Sequence, residues 1–162
     1  MLRCLTLILL LSTLPACGKS RDEAKVQRVL ARDDRRLTDV VAAWLARPGV
    51  PESPAEHAFA DAVHVFEVVG DSGLHPFVDS APGGPDPDRA LAALREVGLP
   101  DHAKVLDELL NARVNGKVPQ PTLLALEDRF RALPDPFHVL AAYVRRHEKE
   151  LRLDKVDEGR VP

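Results

Sequence analysis

Two groups of histidine and acidic residues have spacings that could support chemistry. His57, Asp61 and His64 follow one another at helical intervals, so on a helix the three side chains lie within about 60° of one another. Imidazole and carboxylate groups gathered in this way are ligands for zinc. The same helix, however, points them away from its apolar stripe and toward water, where a catalytic metal lacks a dry surrounding shell. We expect a solvated polar face here, with no metal and no other cofactor.

The second group lies in an irregular segment and has the side-chain types of a hydrolase. Asp71, Ser72, His75, Asp79 and Ser80 stand close together in the sequence. They could supply a nucleophile, a base and an orienting acid, but the Gly-x-Ser-x-Gly pattern of a nucleophile elbow is missing. We therefore expect no catalytic residues and no enzyme. An envelope hydrolase that uses His75 and its acidic neighbours is the alternative.

The elements that would position these groups are predicted to be helices. Hydrophobic residues make up 45% of the 162 residues, but aromatic residues only 4%. A core of aliphatic and alanine side chains suits the packing of helix on helix. Helix-start signals recur along the chain: Ser53, Pro54 and Glu56 fit a capping box with proline at the first helical position. Asp86 and Pro87 repeat the cap and the proline.

Apolar residues at helical spacing predict where the helices lie. One long helix, or two in tandem, is expected for 22–46. The charged run 32–36 interrupts its apolar stripe; a solvated turn of helix is expected there, and a break between two helices is the alternative. The next predicted helix spans 54–70, and Phe66 is expected to be buried on its core stripe. The other predicted helices span 87–97, 101–113, 121–133 and 136–151. These add up to an all-α, single compact domain of about six helices over 22–153, followed by a charged, frayed tail over 154–162.

The first residues predict export. Met1 to Arg3 give a short positive start, and Cys4 to Leu14 form an apolar run that is too short to span a bilayer as a mature helix. The run ends in Leu14, Pro15, Ala16 and Cys17, which resembles the bacterial lipobox. We therefore expect residues 1–16 to be a lipoprotein signal peptide. An ordinary signal peptide or an uncleaved anchor is the alternative.

The lipobox places the lipid on Cys17. Cleavage before this residue also removes Cys4, the other cysteine of the chain, so no thiol remains for a disulfide, a metal or a nucleophile. Residues 17–21 would then form a short tether. Gly18 follows the lipidated residue instead of an aspartate, which favours delivery to the outer membrane of the cell envelope.

The charge of the chain is mild. The formal net charge is −3 at neutral pH, and removal of the signal makes it more negative by one. This balance supports neither a basic face that binds phosphates nor the dense acidic surface of a protein that imitates nucleic acid. We expect no nucleic-acid partner.

One stretch resembles a known family. The residues Phe66 to Val78 are similar to the helix end and Asn-Gly-Gly-Phe-x-Gln-Phe-Phe motif of a bacterial domain family of unknown function that includes a DNA-mimic protein. Asp71 and Ser72 replace the Asn and the first Gly, and Leu74 and Pro76 replace the first Phe and the Gln. The resemblance extends over about 58–151. It implies an all-helical domain that is used for protein binding and has no known enzyme chemistry.

The resemblance and the loop composition together predict the functional segment. Glycine and proline are dense between positions 70 and 88, and rigid turns can present side chains to a partner at little entropic cost. The candidate partner-binding residues are Asp71, Ser72, Leu74, His75, Phe77 and Asp79. For Leu74 and Phe77 the alternative is that they plug the domain core.

The sequence thus predicts an envelope lipoprotein whose helical domain binds or inhibits another protein. The partner is an unidentified protein, the lipid on Cys17 attaches the chain to the membrane, and the domain is a monomer or a weak dimer.

Overall fold

Seven α-helices are present in the residues that the computed structural model describes, 21–78 and 84–156. They are α1 (Arg21–Leu30), α2 (Asp34–Leu45), α3 (Pro54–Ser72), α4 (Pro87–Val97), α5 (Pro100–Asn111), α6 (Gln120–Arg131) and α7 (Phe137–Arg146). Short 3₁₀ helices occupy His75–Phe77 and Leu153–Lys155. The all-α prediction is confirmed. None of the described helices is long and apolar enough to cross a membrane; the predicted signal, Cys17 and most of the tether lie outside the described residues.

Of the two forms expected for 22–46, the structure has the two helices in tandem, α1 and α2. The chain breaks within the charged run 32–36, as the alternative for it allowed, because α1 ends at Leu30 and α2 begins at Asp34. The preferred turn of helix is therefore wrong for positions 32 and 33. Asp33 is the N-cap residue of α2, and its carboxylate accepts a hydrogen bond of 2.9 Å from the backbone N–H of Arg36. Such a cap satisfies a backbone donor that would otherwise be unpaired at the start of a new helix.

The other local helix signals are confirmed. Ser53 and Glu56 form the reciprocal capping box of α3, and the Asp86 side chain accepts hydrogen bonds from two backbone N–H groups at the start of α4. Gly98 ends α4 with a φ of +93°, which is a left-handed conformation that favours glycine.

The core is arranged around α3, which packs against α2, α4 and α7. α4 and α5 form a helical hairpin, and α6 packs on α5. Phe59, Ala62 and Val65 are buried, whereas Phe66, which was expected to be buried, is only partly buried. The buried face of α3 is therefore rotated about the helix axis relative to the face that would bury Phe66.

The expected frayed tail is ordered in its first part. Leu153 and Val156 are both fully buried, and the 3₁₀ helix packs against α1. Lys25 Nζ of α1 donates a hydrogen bond of 2.6 Å to the backbone carbonyl of Asp154. The prediction of a charged, frayed tail from position 154 is wrong for 154–156, because Asp154 and Lys155 belong to this 3₁₀ helix and Val156 is buried in the core. Residues 157–162 lie outside the described part of the chain.

His102 on α5 is buried between two aromatic rings. It is 4% exposed, and its ring centroid lies 5.2 Å from that of Phe66 and 5.0 Å from that of Phe130. Burial lowers the pKa of His102, and the neighbouring Asp101 opposes this with a smaller effect. The fold therefore holds the neutral imidazole.

This burial predicts a loss of stability in acid. Because the unfolded chain takes up a proton that folded His102 excludes, the stabilisation is complete above the ordinary histidine pKa of about 6.5 and decreases as the pH falls through it. His102→Leu should remove this part of the pH dependence. Chemical denaturation of both proteins at about pH 8 and about pH 5 measures it. An undiminished difference between the two pH values in His102→Leu would contradict the prediction.

Candidate protein-binding surface

The three candidate metal ligands, His57, Asp61 and His64, either interact with other charged side chains or are exposed. Asp61 is held by Arg89, whose Nη2 lies 2.8 Å from both carboxylate oxygens. His64 Nδ1 lies 3.6 Å from a carboxylate oxygen of Glu67, and His57 is exposed. No group of three His, Cys, Asp or Glu side chains within the described ranges could hold a metal ion.

The segment that follows α3 is fixed by a carboxylate from α6. The backbone N–H of Leu74 donates a hydrogen bond of 2.8 Å to Oε1 of Glu127. Gly73 has a φ of +70°, and a Cβ atom built on it would lie 2.2 Å from the same oxygen. A side chain at this position would therefore both strain the backbone and displace Glu127. This explains the glycine of the family-like motif.

The structure divides the predicted partner-binding residues into two groups. Leu74 and Phe77 are 0% and 1% exposed, so they belong to the core, as their alternative stated, and they cannot form part of a partner-binding surface in this conformation. Their burial follows from the turn at Gly73, which directs the chain back onto the helices. Asp71, Ser72 and His75 are exposed. Asp79 and Ser80 lie outside the described residues.

A tight turn between α5 and α6 exposes an apolar side chain. The backbone N–H of Val114 donates to the carbonyl of Lys117 at 2.7 Å, and the N–H of Lys117 donates to the carbonyl of Val114 at 3.1 Å. Asn115 and Gly116 between them both have positive φ values, +53° and +78°, as in a type I′ turn. Val114 is 64% exposed as a result of this geometry.

This turn and the segment after α3 form one continuous surface. Arg113 Nη2 donates a hydrogen bond to the backbone carbonyl of Phe77, which ties the start of the turn to the 3₁₀ helix. Side chains from both segments and from α6 line a shared cleft of about 390 Å³. The residues lining it are His75, Val78, Lys117, Val118, Gln120 and Leu123.

A second exposed apolar side chain lies beside this cleft. Leu124 of α6 is 51% exposed, and it follows Gln120 by one helical turn, so the two share a face of the helix. In the described part of the chain, Val114 and Leu124 are the large hydrophobic side chains that are exposed. We name His75, Val114, Lys117, Gln120 and Leu124 the loop surface.

The loop surface has the composition of a protein-binding patch. It combines exposed apolar side chains with hydrogen-bonding groups, and its backbone is fixed by the Gly73 and Asn115–Gly116 turns. A rigid patch of this kind loses little conformational entropy when a partner binds. Sequence reasoning identified His75 but missed the contribution of the turn, although an Asn-Gly pair between two segments is a recognised turn signal.

Comparison with known proteins supports the family resemblance. The sequence model of a protein family described as DMP19-like protein matches residues 52–147. The match extends from the start of α3 to the end of α7 and includes every residue of the loop surface. Neither curated proteins nor solved structures yield a match to the chain.

Proposed function

The chain belongs to the DMP19-like protein family, and we propose that it is an envelope lipoprotein whose helical domain binds another protein through the loop surface. The observation that carries the proposal is the exposure of Val114 and Leu124 next to residues that line the cleft. Val114 is hydrogen-bonded to Lys117, and Leu124 lies one helical turn after Gln120. Exposed apolar side chains grouped in one place are a mark of interaction sites in soluble domains. The surrounding His75, Lys117 and Gln120 would form the polar rim.

We propose recognition by shape and apolar contact, without imitation of DNA. A surface that replaces nucleic acid requires densely spaced negative charge, whereas this chain carries a net charge of only −3. The ionisable side chains of the loop surface are His75 and Lys117, and neither is acidic.

The lipid anchor belongs to the same proposal. The predicted attachment residue, Cys17, precedes α1 by a few positions, since α1 begins at Arg21. A tether of this length would keep the domain close to the membrane, so the partner would be a protein of the envelope.

Cys17→Ala is expected to move the protein from the membrane fraction to the soluble fraction, because it removes the only proposed site of lipid attachment. Cell fractionation and incorporation of labelled fatty acid measure the two effects. Cys4→Ala is the matched control and should leave the mature protein lipidated. Membrane retention of Cys17→Ala, together with unlabelled wild type, would contradict the anchor.

Loss of the partner is expected when the apolar side chains of the loop surface become polar. Detergent-solubilised membranes would be passed over the wild-type protein and over the double variant Val114→Ser, Leu124→Ser, followed by mass spectrometry. Because both side chains are exposed, the variant should melt like the wild type and yet lose a protein that the wild type captures.

A matched double variant on other helices provides the control. Gln27 on α1 and Asp39 on α2 are also exposed, and their replacement by serine should leave capture unchanged. A partner that binds the Val114→Ser, Leu124→Ser protein as well as the wild type would remove the loop surface from the proposal.

A further inference from the structure

A second cleft lies on a different part of the domain, between α3, α4 and α7. Its volume is about 440 Å³, within the range of pockets for small molecules. Small side chains leave this space open, because α3 presents Ala55 and Ala58 and α4 presents Ala92 and Ala93 toward it. Tyr143 of α7 also lines the cleft.

Tyr143 has an unusual environment for a buried polar side chain. It is 1% exposed, and its ring stacks on that of His147 with 4.3 Å between the centroids. Its hydroxyl group is buried and has no hydrogen-bond partner among the described residues. Buried hydroxyl groups are nearly always paired, because desolvation without a partner is costly. A ligand in the cleft could supply the missing partner.

The charges around the cleft determine what that ligand can be. Asp61 is neutralised by Arg89 at 2.8 Å. Glu96 is exposed and has no ion-pair partner in the described part of the chain, and Glu150 Oε1 lies 3.0 Å from His147 Nδ1. Burial raises the pKa of the Tyr143 hydroxyl, the charges of Glu96 and Glu150 raise it further, and the charge of Arg146 opposes them with a smaller effect. The cleft therefore has excess negative charge and a neutral hydroxyl.

We propose that this cleft binds a primary ammonium group on a short aliphatic chain. The ammonium group would donate one hydrogen bond to the Tyr143 hydroxyl oxygen and would lie near the Glu96 carboxylate. Its aliphatic chain would pack against the alanine side chains of α3 and α4, where it displaces water from apolar surface. An anionic ligand would be repelled by Glu96 and Glu150. The site is separate from the loop surface.

Isothermal titration calorimetry on the full-length protein in detergent tests the proposal with defined probes. n-Butylamine represents a free amine, and an acetylated, amidated Ala-Lys-Ala peptide represents a lysine side chain of a protein. At least one should bind saturably, with one site per chain. Tighter binding of the peptide assigns the site to a lysine of a partner protein, and tighter binding of n-butylamine assigns it to a free amine. Butyrate should not bind.

Two variants determine whether the binding occurs in this cleft. Tyr143→Phe removes only the hydroxyl oxygen, and Glu96→Gln removes only the charge, so each should weaken amine binding about tenfold while the thermal melt shows a folded protein. Glu67→Gln removes an exposed carboxylate outside the cleft and should bind like the wild type. Failure of both amines to bind, equal binding of butyrate, or wild-type affinity in Tyr143→Phe and Glu96→Gln would each overturn the proposal. The Val114→Ser, Leu124→Ser protein should still bind the amine, which separates the two sites.

Discussion

Arg152→Ala is expected to lower the free energy of unfolding by about 3 kcal/mol, because it would leave the buried charge of Glu56 without its partner. Glu56 is 0% exposed. Arg152 holds both of its carboxylate oxygens, with Nε at 2.7 Å and Nη2 at 2.9 Å. This loss lies at the lower end of the range for breaking a buried ion pair, because the Arg152 side chain is itself 30% exposed.

The same side chain joins three parts of the fold. Arg152 Nη1 lies 2.6 Å from Oε2 of Glu52, and its guanidinium carbon lies 5.5 Å from the ring centroid of Trp44 on α2. Burial raises the pKa of Glu56, but hydrogen bonds from Arg152 and from the backbone of Glu52 and Ser53 outweigh it and hold the pKa below its usual value. The stabilisation is therefore present above the ordinary glutamate pKa and is lost as the pH falls through the lowered one.

Chemical denaturation followed by circular dichroism measures this prediction. Arg152→Lys keeps the charge but lacks the planar guanidinium group that binds two carboxylate oxygens. It should therefore lower the free energy of unfolding by less than Arg152→Ala does. Arg131→Ala removes an exposed arginine of α6 and should change the stability by no more than about 0.5 kcal/mol. Equal stabilities of Arg152→Ala and Arg131→Ala would show that the pair does not hold the C-terminal segment.

Phe59→Ala is expected to cost about 3–5 kcal/mol, the range for removal of a fully buried ring. Phe59 lies in the first half of α3 and is 0% exposed, and its ring centroid lies 6.5 Å from that of Tyr143. Tight packing on all sides prevents the surrounding helices from filling the cavity completely.

Phe66→Ala on the same helix is the matched comparison. Phe66 is only partly buried, and its ring centroid lies 5.8 Å from that of Phe130. Its removal should cost clearly less than that of Phe59, since water can fill part of the space. Denaturation of the two variants side by side measures the difference. Equal losses would contradict the orientation of α3 in this structure.

Local signals were sufficient to predict most of the helix boundaries. The capping box of Ser53 and Glu56 and the left-handed Gly98 each depend on residues within one or two helical turns. Such interactions are encoded in adjacent sequence, so periodicity and capping rules can identify them. The orientation of α3 was less predictable, because Val65 and Phe66 are both apolar and only tertiary packing selects which of them is buried.

Interactions between distant residues could not be read from the sequence. Glu56 was assigned only a capping role, whereas its partner Arg152 lies 96 positions away. Leu74 and Glu127 are separated by 53 positions. Both contacts appear only once the helices are packed, and the second of them explains why Gly73 must be a glycine. The same packing turns Leu74 and Phe77 inward and leaves His75 on the surface.

The candidate surface was predicted in part. The sequence predicted a functional segment after α3, and His75 of this segment is part of the proposed site. It did not pair this segment with the Val114–Lys117 turn, because Arg113 and Phe77, which connect the two, are 36 positions apart.

Photo-crosslinking in living cells tests the proposed loop surface most directly. A photo-reactive amino acid would replace Val114, which is 64% exposed, and in a second strain it would replace Gln27 on α1. Illumination should give a discrete adduct at position 114, with a protein that the wild type also captures from membranes, and no such adduct at position 27. Absence of an adduct at position 114, or the same adduct at both positions, would contradict binding through the loop surface.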